Sequence, residues 1–241
     1  MKWIIVTGDS KGLGKEITNK ILSETEYGVV GISRSSENEV LDIAEKYPLK
    51  FKHISYDLEN VNDIKKLYIE QIRKIGPIYG LVNNSAMAYD DIASNLNVGR
   101  LEQMFRINVF SAMHLTKYAI RDMLLNKIQG SIVHVSSVSA HTGYKGLSMY
   151  AASKGAMEAF SKNIAREWGS KGIRSNCVIP GFMETSMSSS LSEEQKSRIY
   201  KRTSLKKETE IDCVANAVLY LLLETSRSIT GTVIHVDNGT I

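Results

Sequence analysis

Short apolar runs rich in β-branched residues alternate along this chain with longer stretches whose apolar side chains recur every three or four residues. The strand-like runs lie at 3–6 (WIIV), 28–32 (GVVGI), 51–55 (FKHIS), 79–82 (YGLV), 131–135 (SIVHV), 174–179 (RSNCVI) and 232–236 (TVIHV). Helical periodicity occupies 12–24, 37–47, 61–75, 100–127, 148–170 and 211–223. Strands that alternate with helices in this rhythm are βαβ units, and their continuous apolar runs suit a parallel sheet covered on both faces. The pattern therefore predicts an α/β, doubly wound, three-layer fold. In such a sheet crossovers are right-handed and ligands sit beyond the carboxyl ends of the strands, so chemistry is sought just after each strand.

No Gly/Ser/Pro-rich linker, repeat or low-complexity tract divides the chain, which predicts one domain over 1–241. The polar stretch 182–206, with a short helix near 192–201, follows the sixth strand and reads as a lid over a ligand. Met183 and Met187 would give that lid adaptable apolar contact. On the helix at 148–170, Met157, Phe160, Ile164 and Trp168 form one apolar stripe suited to core or a subunit interface.

Composition narrows the function classes. Lys and Arg, 30 in all, are dispersed among 26 acidic residues instead of gathered into a stripe, which argues against nucleic acid as a partner. Cys177 and Cys213 are the two cysteines, too few for a disulfide framework or a CxxC metal pattern. No run approaches the 18 apolar residues of a membrane span, and the apolar run at 3–6 is too short for a signal-peptide core, so a cytoplasmic protein with no membrane association is expected. The histidines at 53, 114, 134, 141 and 235 lack ligand spacing, so no metal site is expected. His141, between Ser137 and Tyr150, lies where the loop would wall a substrate pocket, as a substrate contact or as a solvated loop residue.

The loop VTGDSKGLGKEI follows the first strand and enters a helix. Gly8, Gly12 and Gly14 let its backbone turn tightly and approach a phosphate held at the helix N-terminus, although their G-x-x-x-G-x-G spacing differs from the commoner dinucleotide fingerprint. An NAD site usually carries an acid at the end of the second strand, and here Ser33 and Arg34 stand there. With Lys11 nearby, Arg34 favours a 2′-phosphate, hence NADP(H) over NAD(H). Tyr150 and Lys154, four residues apart on one helix, project together toward the strand ends. The Lys154 ammonium and the positive nicotinamide ring of an oxidised cofactor would both favour the tyrosinate, so the Tyr150 pKa is expected to fall toward working pH.

TGDSKGLG at 7–14, NNSA at 83–86, Ser137, YAASK at 150–154 and PG at 180–181 together resemble the short-chain dehydrogenase/reductase family of the compact type, over essentially the whole chain. Within it, IARE, GIRSNCVIPGFMET and ITGTVIHVDNG are most similar to 3-oxoacyl-acyl-carrier-protein reductases. The resemblance implies a Rossmann fold with a seven-stranded parallel sheet in the order 3-2-1-4-5-6-7. It implies a tetrad of Asn108, Ser137, Tyr150 and Lys154, with Tyr150 as general acid and Asn108 supporting a water-linked proton path. It implies cofactor contacts from Gly8, Ser10, Lys11, Gly12, Leu13, Gly14, Ser33, Arg34, Asp57, Leu58, Asn83, Ser85, Ala86, Pro180, Gly181 and Thr185, besides Tyr150 and Lys154. The family usually has glycine where this chain has Ala86, so a local shift or weaker cofactor binding is expected there.

The activity so implied is NADPH-dependent reduction of a carbonyl, a 3-oxoacyl thioester first, with Lys127 and Lys171 placed to attract an acidic acyl carrier. A sugar, polyol or other secondary alcohol is the alternative substrate. A catalytically silent nucleotide-binding protein is the remote one, disfavoured because both Tyr150 and Lys154 are present. A homotetramer is the implied assembly, with a dimer next.

Overall fold

The computed structural model describes residues 1–34, 38–185 and 192–241. Seven strands, β1 (Trp3–Thr7), β2 (Gly28–Ser33), β3 (Phe51–Ser55), β4 (Ile78–Asn83), β5 (Ser131–Val135), β6 (Arg174–Pro180) and β7 (Val233–Val236), form one sheet. Its order is β3-β2-β1-β4-β5-β6-β7 and every pairing is parallel. Strand order reverses beside β1, between β2 and β4, which opens the ligand crevice of a doubly wound sheet at that point.

The five inner strands are buried along their whole length, as continuous apolar runs require when helices cover both faces. The two edges differ. β3 alternates, burying Phe51 and Ile54 while Lys52 and Ser55 face solvent, and β7 is partly exposed throughout.

Helix α1 (Gly12–Glu24) packs against α7 (Ile211–Leu222). Between them in sequence come α2 (Asn38–Lys46), the helical run 61–75 (α3), the run 98–125 (α4), α5 (Ser148–Trp168) and α6 (Glu193–Tyr200). α4 is composite: Val98–Phe105 and Ser111–Leu125 are α-helical, and Arg106–Phe110 is a π turn. α3 holds a second π turn, Tyr68–Ile72. The stripe on α5 divides as its spacing requires, with Met157 and Ile164 buried and Phe160 and Trp168 packed partly buried against the core. Among the described residues no helix is long and apolar enough to cross a membrane.

Candidate active site

Parallel strands bring their carboxyl ends to one edge, and there stand Gly8 after β1, Ser33 and Arg34 at β2, Asp57 after β3, Asn83 to Ala86 at β4, Ser137 after β5, and Pro180 and Gly181 at β6. The loop after β1 and the loop after β4 are laced together. Thr7 Oγ1 accepts from the backbone N–H of Asn84 and of Ser85, each at 3.0 Å, and Asn84 Nδ2 donates to the Thr7 carbonyl at 2.9 Å. These bonds hold the segment carrying Ala86 against the glycine loop.

Gly8 and Gly12 have positive φ, 73° and 53°, in the region that favours glycine. A Cβ on Gly14 would lie 2.0 Å from the Gly8 carbonyl oxygen, so loop and helix touch backbone to backbone. α1 then starts at Gly12 with no side-chain cap and no acid in its first turn, a cradle whose N-terminal amides suit a phosphate. A Cβ on Gly12 would face the Thr185 methyl at 3.8 Å, which brings the segment after β6 over the same loop.

Other predicted cofactor residues fall nearby with different degrees of exposure. Leu13, Leu58 and Ser10 are buried, whereas Lys11 and Arg34 are exposed. The end of β2 is fixed to that of β3, since Ser55 Oγ donates to the Arg34 carbonyl and the Tyr56 N–H to the Ser33 carbonyl. Asp57 accepts the Glu59 N–H at 3.0 Å and so shapes the turn after β3. The Asn83 side chain turns inward, donating to Thr116 Oγ1 and lying 3.0 Å from His134 Nδ1. Met187 lies outside the described residues.

The four residues of the implied tetrad converge between β5, α4 and α5. Ser137 lies two residues beyond β5 with extended backbone, and its Oγ accepts from Ser139 N and Ser139 Oγ. That leaves the Ser137 proton free to donate, and as a donor near the Tyr150 hydroxyl it favours the phenolate. Lys154, one turn beyond Tyr150, is buried, donates from Nζ to the Val135 carbonyl at 2.8 Å, and lies 5.6 Å from the Tyr150 ring centroid. Asn108 sits in the π turn of α4. Its Oδ1 accepts the Met87 N–H at 2.7 Å, while Nδ2 donates to the Met87 carbonyl and to Ser153 Oγ. A π turn is a common device at functional sites, and here it spends a backbone irregularity to clamp the loop after β4 onto α5. Asn108 and Lys154 line a polar cavity of about 10 Å³, roughly the room for one water.

The electrostatics differ from the expectation for Tyr150. Burial pushes its phenol up to about 12, the Ser137 hydrogen bond works against that, and the Asp90 carboxylate adds to it. The ammonium of Lys154, 5.6 Å from the ring centroid, does not outweigh that burial. Burial lowers Lys154 itself to about 8, opposed by the fields of Cys177 and Glu158. His134, buried beside Lys154, is held neutral by desolvation and by the Lys154 charge, with its pKa lowered to about 3. At neutral pH the site therefore presents a protonated phenol and an ammonium. With the ammonium required, kcat/KM is expected to be level near pH 7 and to fall as pH rises through about 8, where Lys154 loses its proton. A pH–rate profile checks this; a plateau extending beyond pH 10 would contradict it.

His141 Nε2 lies 2.8 Å from Glu158 Oε2. Glu158 escaped the sequence reading, although an acid one helical step beyond Lys154 on a mostly apolar flank was a usable signal. Asp9, in the glycine loop, is buried against His53 at 2.8 Å, in space that Gly31 leaves open. Among the described residues no group of three or more His, Cys, Asp or Glu is placed to hold a metal ion.

A glycine cradle at the switch point of a doubly wound sheet, with Tyr150, Lys154 and Ser137 beside it, defines a dinucleotide-dependent oxidoreductase fold and site. The enzyme family described as enoyl-(acyl carrier protein) reductase matches residues 8–240. The chain is 32% identical to the 3-oxoacyl-(acyl-carrier-protein) reductase FabG of Buchnera aphidicola subsp. Baizongia pistaciae, over 99% of this chain and 96% of that one. It is 30% identical to the L-xylulose reductase of Caenorhabditis elegans, over 99% and 95%. The solved 4-hydroxyisoleucine dehydrogenase complexed with NADH has the same fold, with TM-score 0.93 at 23% identity over 100% and 98% of the two chains. The chain belongs to the short-chain dehydrogenase/reductase family. It is an NAD(P)-dependent oxidoreductase acting on CH–OH groups, most similar within the family to 3-oxoacyl-(acyl-carrier-protein) reductases.

Proposed function

We propose that the protein reduces a carbonyl with NADPH and that a 3-oxoacyl thioester is its first substrate. The reading rests above all on Tyr150, a protonated phenol near the Ser137 donor with the Lys154 ammonium over its ring, at the carboxyl edge of the sheet. The similarity to 3-oxoacyl-(acyl-carrier-protein) reductases supports the substrate class. Lys127 and Lys171 then serve as contacts for an acidic carrier. The likeness to an L-xylulose reductase favours a sugar or polyol carbonyl as the second reading.

The glycine loop and the N-terminus of α1 would hold the pyrophosphate, and Arg34 and Lys11 the 2′-phosphate. A bound nicotinamide supplies the hydride. Ser137 donates to the carbonyl oxygen of the substrate, and Tyr150 transfers its proton to that oxygen as negative charge develops there. The resulting phenolate is stabilised by the Ser137 hydroxyl and the Lys154 ammonium, then regains a proton through the cavity beside Asn108. The lid expected over 182–206 would cover the substrate side of the single domain, and its residues 186–191 lie outside the described ones. Its described part includes α6, opened by a Ser192/Gln195 capping box and tied back by Tyr200 Oη donating to Glu184 at 2.6 Å.

The test is a titration with NADPH and with NADH, followed by acetoacetyl thioester and a panel of sugars and polyols, read by nicotinamide absorbance. Preference for NADH, or turnover of polyols alone, overturns the first reading. Arg34→Ala is expected to weaken NADPH binding about 10- to 100-fold, the worth of one charge-assisted bond pair, and to leave NADH binding within about twofold. Equal losses for both cofactors would remove Arg34 from the 2′-phosphate site.

A further inference from the structure

The crevice residues account for Tyr150, Lys154, Ser137 and Asn108, yet a buried carboxylate lies behind them without an assigned role. Glu158 is 7% exposed on α5 and follows Lys154 by four residues, as Lys154 follows Tyr150, so the three share one helical face. Its Oε1 accepts from Ser136 Oγ, and its Oε2 is 2.8 Å from His141 Nε2. Ser136 immediately precedes Ser137, and His141 closes the 3-10 turn Val138–Ala140 that starts at Ser137. One carboxylate therefore holds both sides of the Ser137 loop and fastens them to the helix of Tyr150 and Lys154.

We propose that Glu158 is a positioning residue of the reaction: it sets the distance of Ser137 from Tyr150 through Ser136 and His141, and it supplies the negative charge facing Lys154 from the next turn. The inference rests on the reading of Tyr150 and Lys154 given above.

The groups around this carboxylate are consistent with the role. A buried carboxylate is retained at low cost only when its oxygens are bonded and a cation is near, and Glu158 has Ser136, His141 and the Lys154 ammonium. From β6, Cys177 faces both Glu158 and Lys154, and its thiol, pushed up to about 12, is uncharged. From β5, His134 is neutral. From β7, His235 stacks edge to face on His141 with ring centroids 5.1 Å apart, and its Nδ1 is 3.7 Å from Asp237 Oδ2. Among these neighbours Glu158 is thus the anion that opposes the desolvation of Lys154.

Glu158→Gln keeps the shape and removes the charge, whereas Ser136→Ala keeps the charge and cuts one tie. In Glu158→Gln the alkaline limb of kcat/KM is expected to move to lower pH by about half a pH unit or more, since an ammonium without its counter-charge deprotonates sooner. Its kcat at pH 8 is expected to fall about tenfold, with the NADPH dissociation constant within about twofold of wild type. Ser136→Ala is expected to lose about tenfold in kcat with the limb unmoved. The 15N shift of the Lys154 ammonium, titrated in wild type and Glu158→Gln, gives the charge effect without turnover.

An unmoved limb and an unmoved Lys154 titration in Glu158→Gln, with kcat at the wild-type level, overturn the inference. Tyr150→Phe run beside them separates the two readings. If it is inactive while Glu158→Gln equals wild type, the positioning role alone fails; if it is fully active, the acid role of Tyr150 fails first. Should Glu158→Gln not fold, Ser136→Ala decides: an unchanged kcat counts against the role, and a tenfold loss at constant cofactor affinity supports it.

Discussion

Tyr150→Phe is expected to lower kcat by about 10²- to 10⁴-fold, the usual worth of a positioned general acid, while cofactor affinity stays within a few-fold. The substitution removes one oxygen and keeps the ring. That ring packs against the cluster of Tyr89, Met104 and Met149 and lies under the Lys154 ammonium, so fold and local charge are preserved. What disappears is the proton donor beside Ser137. A phenol pushed up to about 12 is protonated at neutral pH and remains more acidic than the alcohol formed when the alkoxide of a reduced ketone takes up a proton, so the transfer runs downhill. Ser137 still hydrogen-bonds the oxygen in the variant, which leaves a residual rate. Steady-state kinetics with NADPH and acetoacetyl thioester check the loss; a kcat within twofold of wild type would end the acid role of Tyr150.

The sheet was largely legible because a strand buried on both faces must be apolar throughout, and strands such as WIIV and SIVHV could be little else. Where boundaries moved, long-range side chains moved them. β4 begins at Ile78 because Asp122, 44 residues away, accepts that N–H at 3.0 Å. β7 begins at Val233, one residue later than the apolar run suggests, because the Thr232 N–H is taken by Asn176 Oδ1. The π turn in α4 was invisible for the same reason. It depends on Asn108 meeting Met87 and Ser153, 21 and 45 residues distant, while the apolar periodicity runs on as in an ordinary helix.

The site was legible as positions and illegible as electrostatics. Parallel topology alone puts Gly8, Asn83, Ser137 and Pro180 at one edge, and linear spacing sets Tyr150 and Lys154 one turn apart. Spacing says nothing of depth, and depth decides the charges: burial of Tyr150 outweighs the nearby ammonium, and burial of Lys154 lowers it instead. His141 shows the same limit. Its place between Ser137 and Tyr150 suggested a substrate contact, and only the fold brings it to Glu158, 17 residues on.

Gly14→Ala is expected to be the most damaging single methyl in the cofactor loop. The added Cβ would lie 2.0 Å from the Gly8 carbonyl oxygen, 2.7 Å from the Gly8 carbonyl carbon and 2.6 Å from Asn84 Nδ2. Two of those atoms are backbone, and Asn84 Nδ2 is itself fastened to the Thr7 carbonyl, so no side chain can swing aside. The start of α1 must then retreat from the loop by about an ångström or more, carrying away the amides proposed to hold the cofactor's pyrophosphate. Losing two charge-assisted bonds of about 1.5–3 kcal/mol each predicts a weakening of NADPH binding of at least about 10²-fold. Overpacking of this kind costs about 1–3 kcal/mol of stability, or roughly 2–4 °C of Tm per kcal/mol in a chain of this length. Gly12→Ala is the control. Its φ of 53° strains any side chain, yet its Cβ meets only the Thr185 methyl at 3.8 Å, so a penalty near 1 kcal/mol without steric collision is expected. Calorimetric titration with NADPH and thermal melts of both variants should rank Gly14→Ala far below Gly12→Ala. Equal affinities in the two would mean that close contact between loop and helix does not shape the phosphate cradle.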